Sequence, residues 1–390
     1  MTEPPAGRLL TPAFVALTLS DLAYFAAGGL LIAATPLFVS GPLGGAEAAV
    51  GVTMGSFSVS TLLLRPLAGR WSDRYGRRRL LVGGAVAFAL LALGHLVVQG
   101  VVGLVLLRVL LGAAEAVYFV AGFAALADLA PPGRAGEALS LNSLALYIGI
   151  ATGPLLGQVL LDSWGFDVVW LSTFVLMTLA AMLATRVPET RAEPAEEGAP
   201  PTPLVHPAAL VPGLGLFASV AAMSGFLAFA VLHAQSLGIE RWSGVLLLYG
   251  GTVVACRLAF ARLPDRVGGA RLATAALAVT AVGLFGAGIW RDTAGLMVAT
   301  VVLGVGVAFV TPAVFAAVFS VVPASERGSA AATTSVFIDL GLGGGPMLTG
   351  ALAAASSIPT AFAWVAALPL AGSLLLLTAR PRPVPVVPAG

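Results

Sequence analysis

The chain contains no lysine, a single cysteine and few charges of either sign. Its 20 basic residues are all arginine, and charged residues make up only 10% of the 390. A water-soluble domain carries roughly a quarter of its residues as charges, so this chain has too little polar surface to be surrounded by water. Cys256 lies inside an apolar run, which leaves disulfides no part in the fold. There is no P-loop, no cluster of His and Cys at metal-ligand spacing, and no polar segment long enough for a catalytic domain. These absences argue against a nucleotide-driven pump and against an enzyme, and no cofactor or metal is expected.

What is abundant is apolar sequence. Hydrophobic residues make up 58% of the chain, and runs of about 20 residues, enough to cross a bilayer core, recur along its whole length. Twelve are read, at 12–38, 49–69, 80–99, 101–127, 138–161, 166–186, 207–236, 243–261, 272–290, 294–319, 328–353 and 358–379. The first is too long for the core of a signal peptide and carries Asp21, so it reads as a span. Of the arginines outside the spans, fifteen fall in the tails and even-numbered gaps and two, Arg241 and Arg291, in the odd-numbered gaps. That bias places both termini in the cytoplasm of a cell whose cytoplasmic membrane holds the chain as a multi-pass protein.

Sliding the sequence over itself by 192 residues lays STLLLRPLAGRWSDRYGRRRLL on TVVACRLAFARLPDRVGGARLA. Arg65 then meets Arg257, Asp73 meets Asp265, Arg74 meets Arg266 and Gly76 meets Gly268. The same offset pairs Gly149 with Gly341 and Gly153-Pro154 with Gly345-Pro346. Matched Arg, Asp and Gly-Pro at one constant offset mark two repeated halves. The expected domains are 1–186 and 207–390, each a six-helix bundle, joined by a Pro- and Glu-rich cytoplasmic linker at 187–206.

All-α, integral to the membrane, with twelve helices in two pseudo-symmetric six-helix bundles: this is the plan of the major facilitator fold, and short motifs strengthen the likeness. GRWSDRYGRRR (69–79) resembles that family's loop between helices 2 and 3, and ARLPDRVGGAR is its weaker copy between helices 8 and 9. RVLLGAAEA (108–116) resembles the family's helix 4 pattern, with Leu111 where Gln is usual. GIATGPLLG (149–157) resembles the helix 5 motif of drug–proton antiporters, with Gln158 where a second Gly commonly follows. The likeness covers residues 10–380 and implies a secondary transporter. It also implies a gating network on the cytoplasmic side built from Gly69, Asp73, Arg74, Gly76, Arg77, Asp128, Asp265 and Arg266. In that network Asp73 is expected near the start of helix 3, and Arg77 is expected to pair with Asp128. Gly149, Gly153 and Gly157 share one helix face beside Pro154, either as plain helix packing or as a tight seam against the second half.

Asp21, Arg65, Arg108, Glu115, Arg257 and Asp339 interrupt apolar runs, at a cost of roughly 2.5–3.5 kcal/mol each on insertion scales. Arg65 and Arg257 are repeated and near cytoplasmic ends, which suits a structural role. The residues 192 positions from Asp21, Arg108, Glu115 and Asp339 are Gly213, Thr300, Val307 and Tyr147, none of them charged. That asymmetry marks these four as candidates for proton coupling, with Asp21 or Glu115 as the carrier and Arg108 as its tuning charge. The alternative is a structural ion pair. A substrate cavity is expected to be lined by Tyr24, Phe25, Tyr118, Phe119, Asn142, Tyr147, Phe226, Phe229, His233 and Phe337, though aromatic packing would place them equally well.

Together these readings anticipate proton-coupled efflux of small hydrophobic compounds by alternating access. The alternatives are a proton-coupled importer of a sugar, organic acid or siderophore, and a transport-dead membrane receptor. Expected partners are a small-molecule substrate, protons and the lipid bilayer, with no nucleic acid, and the working unit is expected to be a monomer.

Overall fold

The structure, a computed structural model, describes residues 9–131, 134–190, 205–260, 263–323 and 326–378. Among these residues there is no strand; the chain forms α1 (Pro12–Ser40), α2 (Glu47–Tyr75), α3 (Arg77–Leu93), α4 (Val101–Leu129), α5 (Ala135–Trp164), α6 (Phe166–Ala184) and α7 (Pro207–Ser236). It continues through α8 (Ser243–Ala259), α9 (Leu263–Val267), α10 (Gly269–Ile289), α11 (Thr293–Phe319), α12 (Arg327–Ala355), α13 (Ile358–Val365) and α14 (Ala367–Thr378). Eleven described stretches are long and apolar enough to cross a membrane, with α13 and α14 counted as one. The remaining span is α8, whose 17 residues reach about 25 Å at 1.5 Å per residue.

The distribution of side chains is that of a protein solvated by lipid. Leu63, Leu90, Leu106, Leu258, Trp364 and Leu377 are exposed, while Asp21, Arg108, Glu115 and Asp339 are buried. In water this arrangement would expose far too much apolar surface; in a bilayer it is required, because only helices satisfy their backbone groups internally.

The chain divides into two compact units, Met1–Glu197 with Glu240–Gly251, and Gly198–Ile239 with Thr252–Gly390. Within the first, α1 packs on α5 and α6, α4 on α2 and α3, and α3 on α6; within the second, α7 packs on α12 and α14, and α10 on α11 and α14. The repeat is therefore visible in the packing itself. It is imperfect at one place: α2 runs unbroken through Ser72, whereas the second copy is split into α8 and α9. Pro264 stands 192 residues after Ser72, and proline suits the first turn of a new helix rather than the interior of an old one.

Both seams between an inner and an outer helix rest on glycine. A β-carbon at Gly153 would lie 2.7 Å from the Ala26 carbonyl oxygen and from Gly29 Cα, and one at Gly149 would overlap the Phe25–Ala26 backbone. At the repeated positions, Gly341 and Gly345 meet Val220, Ala221 and Ser224 of α7 in the same way. Ser224 Oγ adds a hydrogen bond to the Gly341 carbonyl at 2.8 Å.

The second unit opens with His206, which caps α7 by accepting the Ala208 N–H at Nδ1 (3.3 Å). That fixes the hydrogen on Nε2, which donates to Glu326 at 2.9 Å.

The first unit includes the start of α8, and Gln158 holds it there. Its Nε2 donates to the Glu240 carbonyl at 2.6 Å and to Asp162 at 3.2 Å, while its Oε1 accepts the Ser243 N–H at 2.9 Å. A turn-and-helix start is thus fixed by one amide side chain that satisfies a donor and an acceptor of its backbone. Two turns along, Gly250 lies so close to Ala151 that a β-carbon would sit 2.6 Å from the alanine methyl. Gln158→Leu keeps the volume and loses the three bonds, so Glu240–Gly251 should become the first stretch of the chain to exchange its amides faster. Hydrogen exchange by mass spectrometry checks this, with α3 as the internal reference that should not change. The accompanying loss of stability should be about 1–3 kcal/mol.

Candidate functional site

Three buried polar residues of the first unit share one stripe of α4. Arg108, Glu115 and Tyr118 follow at intervals of seven and three residues, which a 3.6-residue helix places on a common face. All three are buried. Tyr118 Oη donates to Asp21 Oδ1 of α1 at 2.9 Å, and Asn142 Nδ2 of α5 donates to Asp21 Oδ2 at 2.8 Å. Tyr118 Oη also lies 2.8 Å from Ser20 Oγ, and Ser20 Oγ donates to the Ala180 carbonyl of α6 at 2.9 Å. Asp21 is therefore the meeting point of α1, α4 and α5, with Ser20 extending the row to α6.

Aromatic rings continue this site toward Arg108. Tyr24 stacks on Tyr118 at 4.8 Å and meets Phe88 edge-on at 5.8 Å; Phe88 meets Phe57 at 6.4 Å. The Arg108 guanidinium lies over the Phe57 ring, 4.7 Å from its centroid.

Of the expected proton-coupling set, the structure brings Asp21, Arg108 and Glu115 into one unit. Asp339 is buried in α12 of the second unit. Of the expected cavity residues, Tyr118 and Asn142 are hydrogen-bond donors to Asp21. Phe25 lies edge-on to Tyr24 at 5.0 Å, and Phe119 carries Arg65 over its ring at 5.2 Å. Tyr147 is half-buried on α5. Phe226 and Phe229 are fully buried, with Phe226 5.6 Å from Phe362. Both lie on α7, which is buried nearly all round. His233 is equally buried, edge-on to Phe362 at 5.7 Å. Phe337 places its ring against Gly213.

The arginine-rich motif forms a second cluster. Arg77 pairs with Asp128, as the sequence suggests, and donates to the Ala124 carbonyl at 3.2 Å. Asp73 stands in the last turn of α2 rather than at the start of the third helix. It is largely exposed, 3.9 Å from Arg77. The carboxylate at the N-terminus of α3 is instead Glu189, which accepts the Arg77 N–H at 2.7 Å. Such a position favours an acid, because the first N–H groups of a helix have no internal partner. Gly76 is explained by the same contact: it has φ +97°, and a side chain would occupy the space of the Glu189 carboxylate. Glu189 was not singled out from the sequence, where only its place at the head of the linker, in VPET, could have flagged it. Arg74 lies over Tyr75 at 5.4 Å, and Arg266 is exposed. The side chain of Asp265 falls outside the described residues. Nothing within 4 Å of Gly69 explains a glycine there.

Of the two readings of GIATGPLLG, its contacts fit plain helix packing. Gly149 and Gly153 face α1 of their own unit, and Gly157 rests on Leu30 and Ala33. Pro154 belongs to the same contact, with its Cδ beside Gly29. Their role is close packing of the helix pair that holds Asp21 and Asn142 together. Gly153→Val should therefore cost more than ~3 kcal/mol by overpacking and remove most folded protein from the membrane. Gly157→Ala, where a β-carbon would meet nothing nearer than 3.5 Å, should be tolerated. Fluorescence-detected size-exclusion chromatography of both variants checks the pair.

Comparison with known proteins agrees with this architecture. The family model described as Major Facilitator Superfamily matches residues 17–294 and 245–390. An uncharacterized MFS-type transporter of Escherichia coli strain K12, YhhS, is 28% identical over 408 residues, covering 100% of this chain and 98% of the relative. Among solved structures, a bacterial homologue of the human lysosomal transporter Spinster, inward-facing and occupied, superposes with a TM-score of 0.79 at 13% identity. The match covers 93% of this chain and 95% of that one. The human organic anion transporter MFSD10 superposes with a TM-score of 0.72 at 18% identity, covering 94% and 99%. At such identities the two structures share the fold alone. The family match spans almost the whole chain, as does the repeat: this chain belongs to the major facilitator superfamily of multi-pass membrane transporters.

Proposed function

We propose that the protein is a proton-coupled exporter of small, mostly apolar compounds, working by alternating access in the cytoplasmic membrane with both termini in the cytoplasm. Asp21 is the principal carrier of the coupling proton, Glu115 the second acid on the same path, and Arg108 the fixed positive charge that tunes them. Asp339 ranks behind these three. The Arg77–Asp128 pair, with Asp73 and Glu189 beside it, serves as a cytoplasmic gate.

One observation carries the proton assignment. The row Asp21 Oδ1, Tyr118 Oη, Ser20 Oγ and Ala180 O contains three contacts of 2.9, 2.8 and 2.9 Å. Each needs one hydrogen, and the two hydroxyls own only two between them. With Asp21 ionised, Tyr118 donates to the carboxylate, Ser20 donates to Ala180, and the contact between Tyr118 and Ser20 holds no hydrogen. A proton on Asp21 Oδ1 completes the row: Asp21 donates to Tyr118, Tyr118 to Ser20, and Ser20 to the carbonyl, while Asn142 still donates to Asp21 Oδ2. Loading one proton thus turns the Tyr118 hydroxyl from Asp21 to Ser20 and completes a hydrogen-bond row that ties α1, α4 and α6. That is the kind of two-state element an alternating cycle requires. Export as the direction rests on the likeness of GIATGPLLG to the antiporter motif and on the few hydrogen-bonding side chains in the apolar interior.

The test is transport into proteoliposomes under an imposed pH gradient, with a panel of lipophilic dyes and drugs. Wild type should move substrate toward the acidic side. Asp21→Asn should lose gradient-driven transport while retaining exchange at equal pH, and Glu115→Gln should weaken it. Full coupled transport in both variants would overturn the assignment, and movement of substrate together with protons would make the protein an importer. Tyr118→Phe, which leaves Asp21 in place and deletes the middle of the row, should lower the coupled rate by about tenfold, as expected for one charge-linked hydrogen bond.

A further inference from the structure

Resting on that transport reading, we propose that Arg108 anchors an acidic group of the transported compound, so that the substrate is an organic anion: a carboxylate, sulfonate or phosphate on an apolar, flat body. Arg108 is 5% exposed and lies eight residues into α4. It makes no hydrogen bond or ion pair with any described residue, and its Nε is enclosed without a partner. A guanidinium keeps its charge in a protein interior, where lysine or histidine would shed a proton. An unaccompanied cation at such a position is among the costlier arrangements a membrane helix can hold.

The neighbouring groups do not neutralise it. On the facing helix α2, Ser56 donates to the Thr53 carbonyl, Ser60 to that of Phe57, and Thr61 to those of Phe57 and Gly112, while the Thr53 hydroxyl is itself buried without a partner. Asp21 is held by Tyr118 and Asn142. Arg77, half-buried on α3 of the same unit, shows what an ion-paired arginine looks like here: its Nε also lacks a partner, but Asp128, Asp73 and the Ala124 carbonyl stand around its other nitrogens. Nor does the scaffold require a cation at this place. The repeat position is Thr300, buried and donating to the Leu296 carbonyl of its own helix. What Arg108 does have is the face of Phe57 at 4.7 Å. That ring orients the planar fork and leaves its edges for a two-oxygen acceptor, and it offers the ligand's flat body a surface to stack on.

The test uses purified full-length protein in lipid nanodiscs and matched probes: naphthalene and decyl carboxylates, sulfonates and phosphates, each beside the uncharged amide or ester of the same body. Equilibrium binding is read by calorimetry without any pH gradient, so a failure here leaves proton coupling standing and a failure of coupling leaves this result intact. In wild type, acids should bind about tenfold or more tightly than their uncharged partners. Arg108→Gln should erase that preference while leaving affinity for the uncharged bodies unchanged. Arg108→Lys, which keeps the charge but not the fork and guards against loss of fold in the Gln variant, should retain only part of it. Wild type that binds no acid in the panel, or binds acid and uncharged partner alike, would overturn the proposal. So would an Arg108→Gln or Arg108→Lys variant with undiminished preference for acids.

Discussion

A polar group inside a lipid-spanning bundle must find every partner within the protein, because the surrounding solvent offers none. This constraint shapes both halves of the chain. It makes all of the described spans helical, turns side chains such as Leu63 and Trp364 outward, and draws groups such as Arg77 and Asp21 to partners within the protein. Where company includes an opposite charge, as at Arg77, the group is a fastener. Where it is complete in only one protonation state, as at Asp21, the group can respond to a proton.

The repeat shows which features belong to the scaffold and which to function. The glycine seams are duplicated, Gly149 and Gly153 on α1 and Gly341 and Gly345 on α7. The hydrogen-bonded carboxyl is not. At the positions 192 residues beyond Asp21, Tyr118 and Asn142 stand Gly213, Val310 and Thr334. Phe337 fills the space beside Gly213, and Thr334 donates to the Ala330 carbonyl of its own helix. One half has thus kept a hydrogen-bonded carboxyl where the other has packed a ring against a glycine. On the proposed reading, a single unit carries the coupling chemistry, and the same glycine contacts hold its donors in register.

Much of the fold was legible because lipid imposes a simple rule on composition. Span positions, the repeat and the pairing of Arg77 with Asp128 follow from apolar length, a constant offset and charge. The buried set Asp21, Arg108 and Glu115 was legible for the same reason, since charge inside an apolar run stands out. What sequence could not supply was direction around each helix axis. Spans that are apolar on all sides carry no periodic stripe, so Phe226 and Phe229 could not be told from cavity-lining rings. Nor could the glycines of α5 be assigned to α1 rather than to the other half. Ser20 and Glu189 escaped notice, and Gln158 stood out only as a departure from a motif, because the role of each depends on a neighbour more than 80 positions away.

The central claim is that Asp21 gains and loses a proton within its hydrogen-bonded row. Infrared difference spectroscopy of the protein in lipid, recorded across a pH step, tests it directly. The account predicts a protonated-carboxyl carbonyl band that is absent in Asp21→Asn and shifted in Tyr118→Phe, where its hydrogen-bond partner is gone. A spectrum in which no band depends on Asp21 anywhere in the pH range of transport would contradict it.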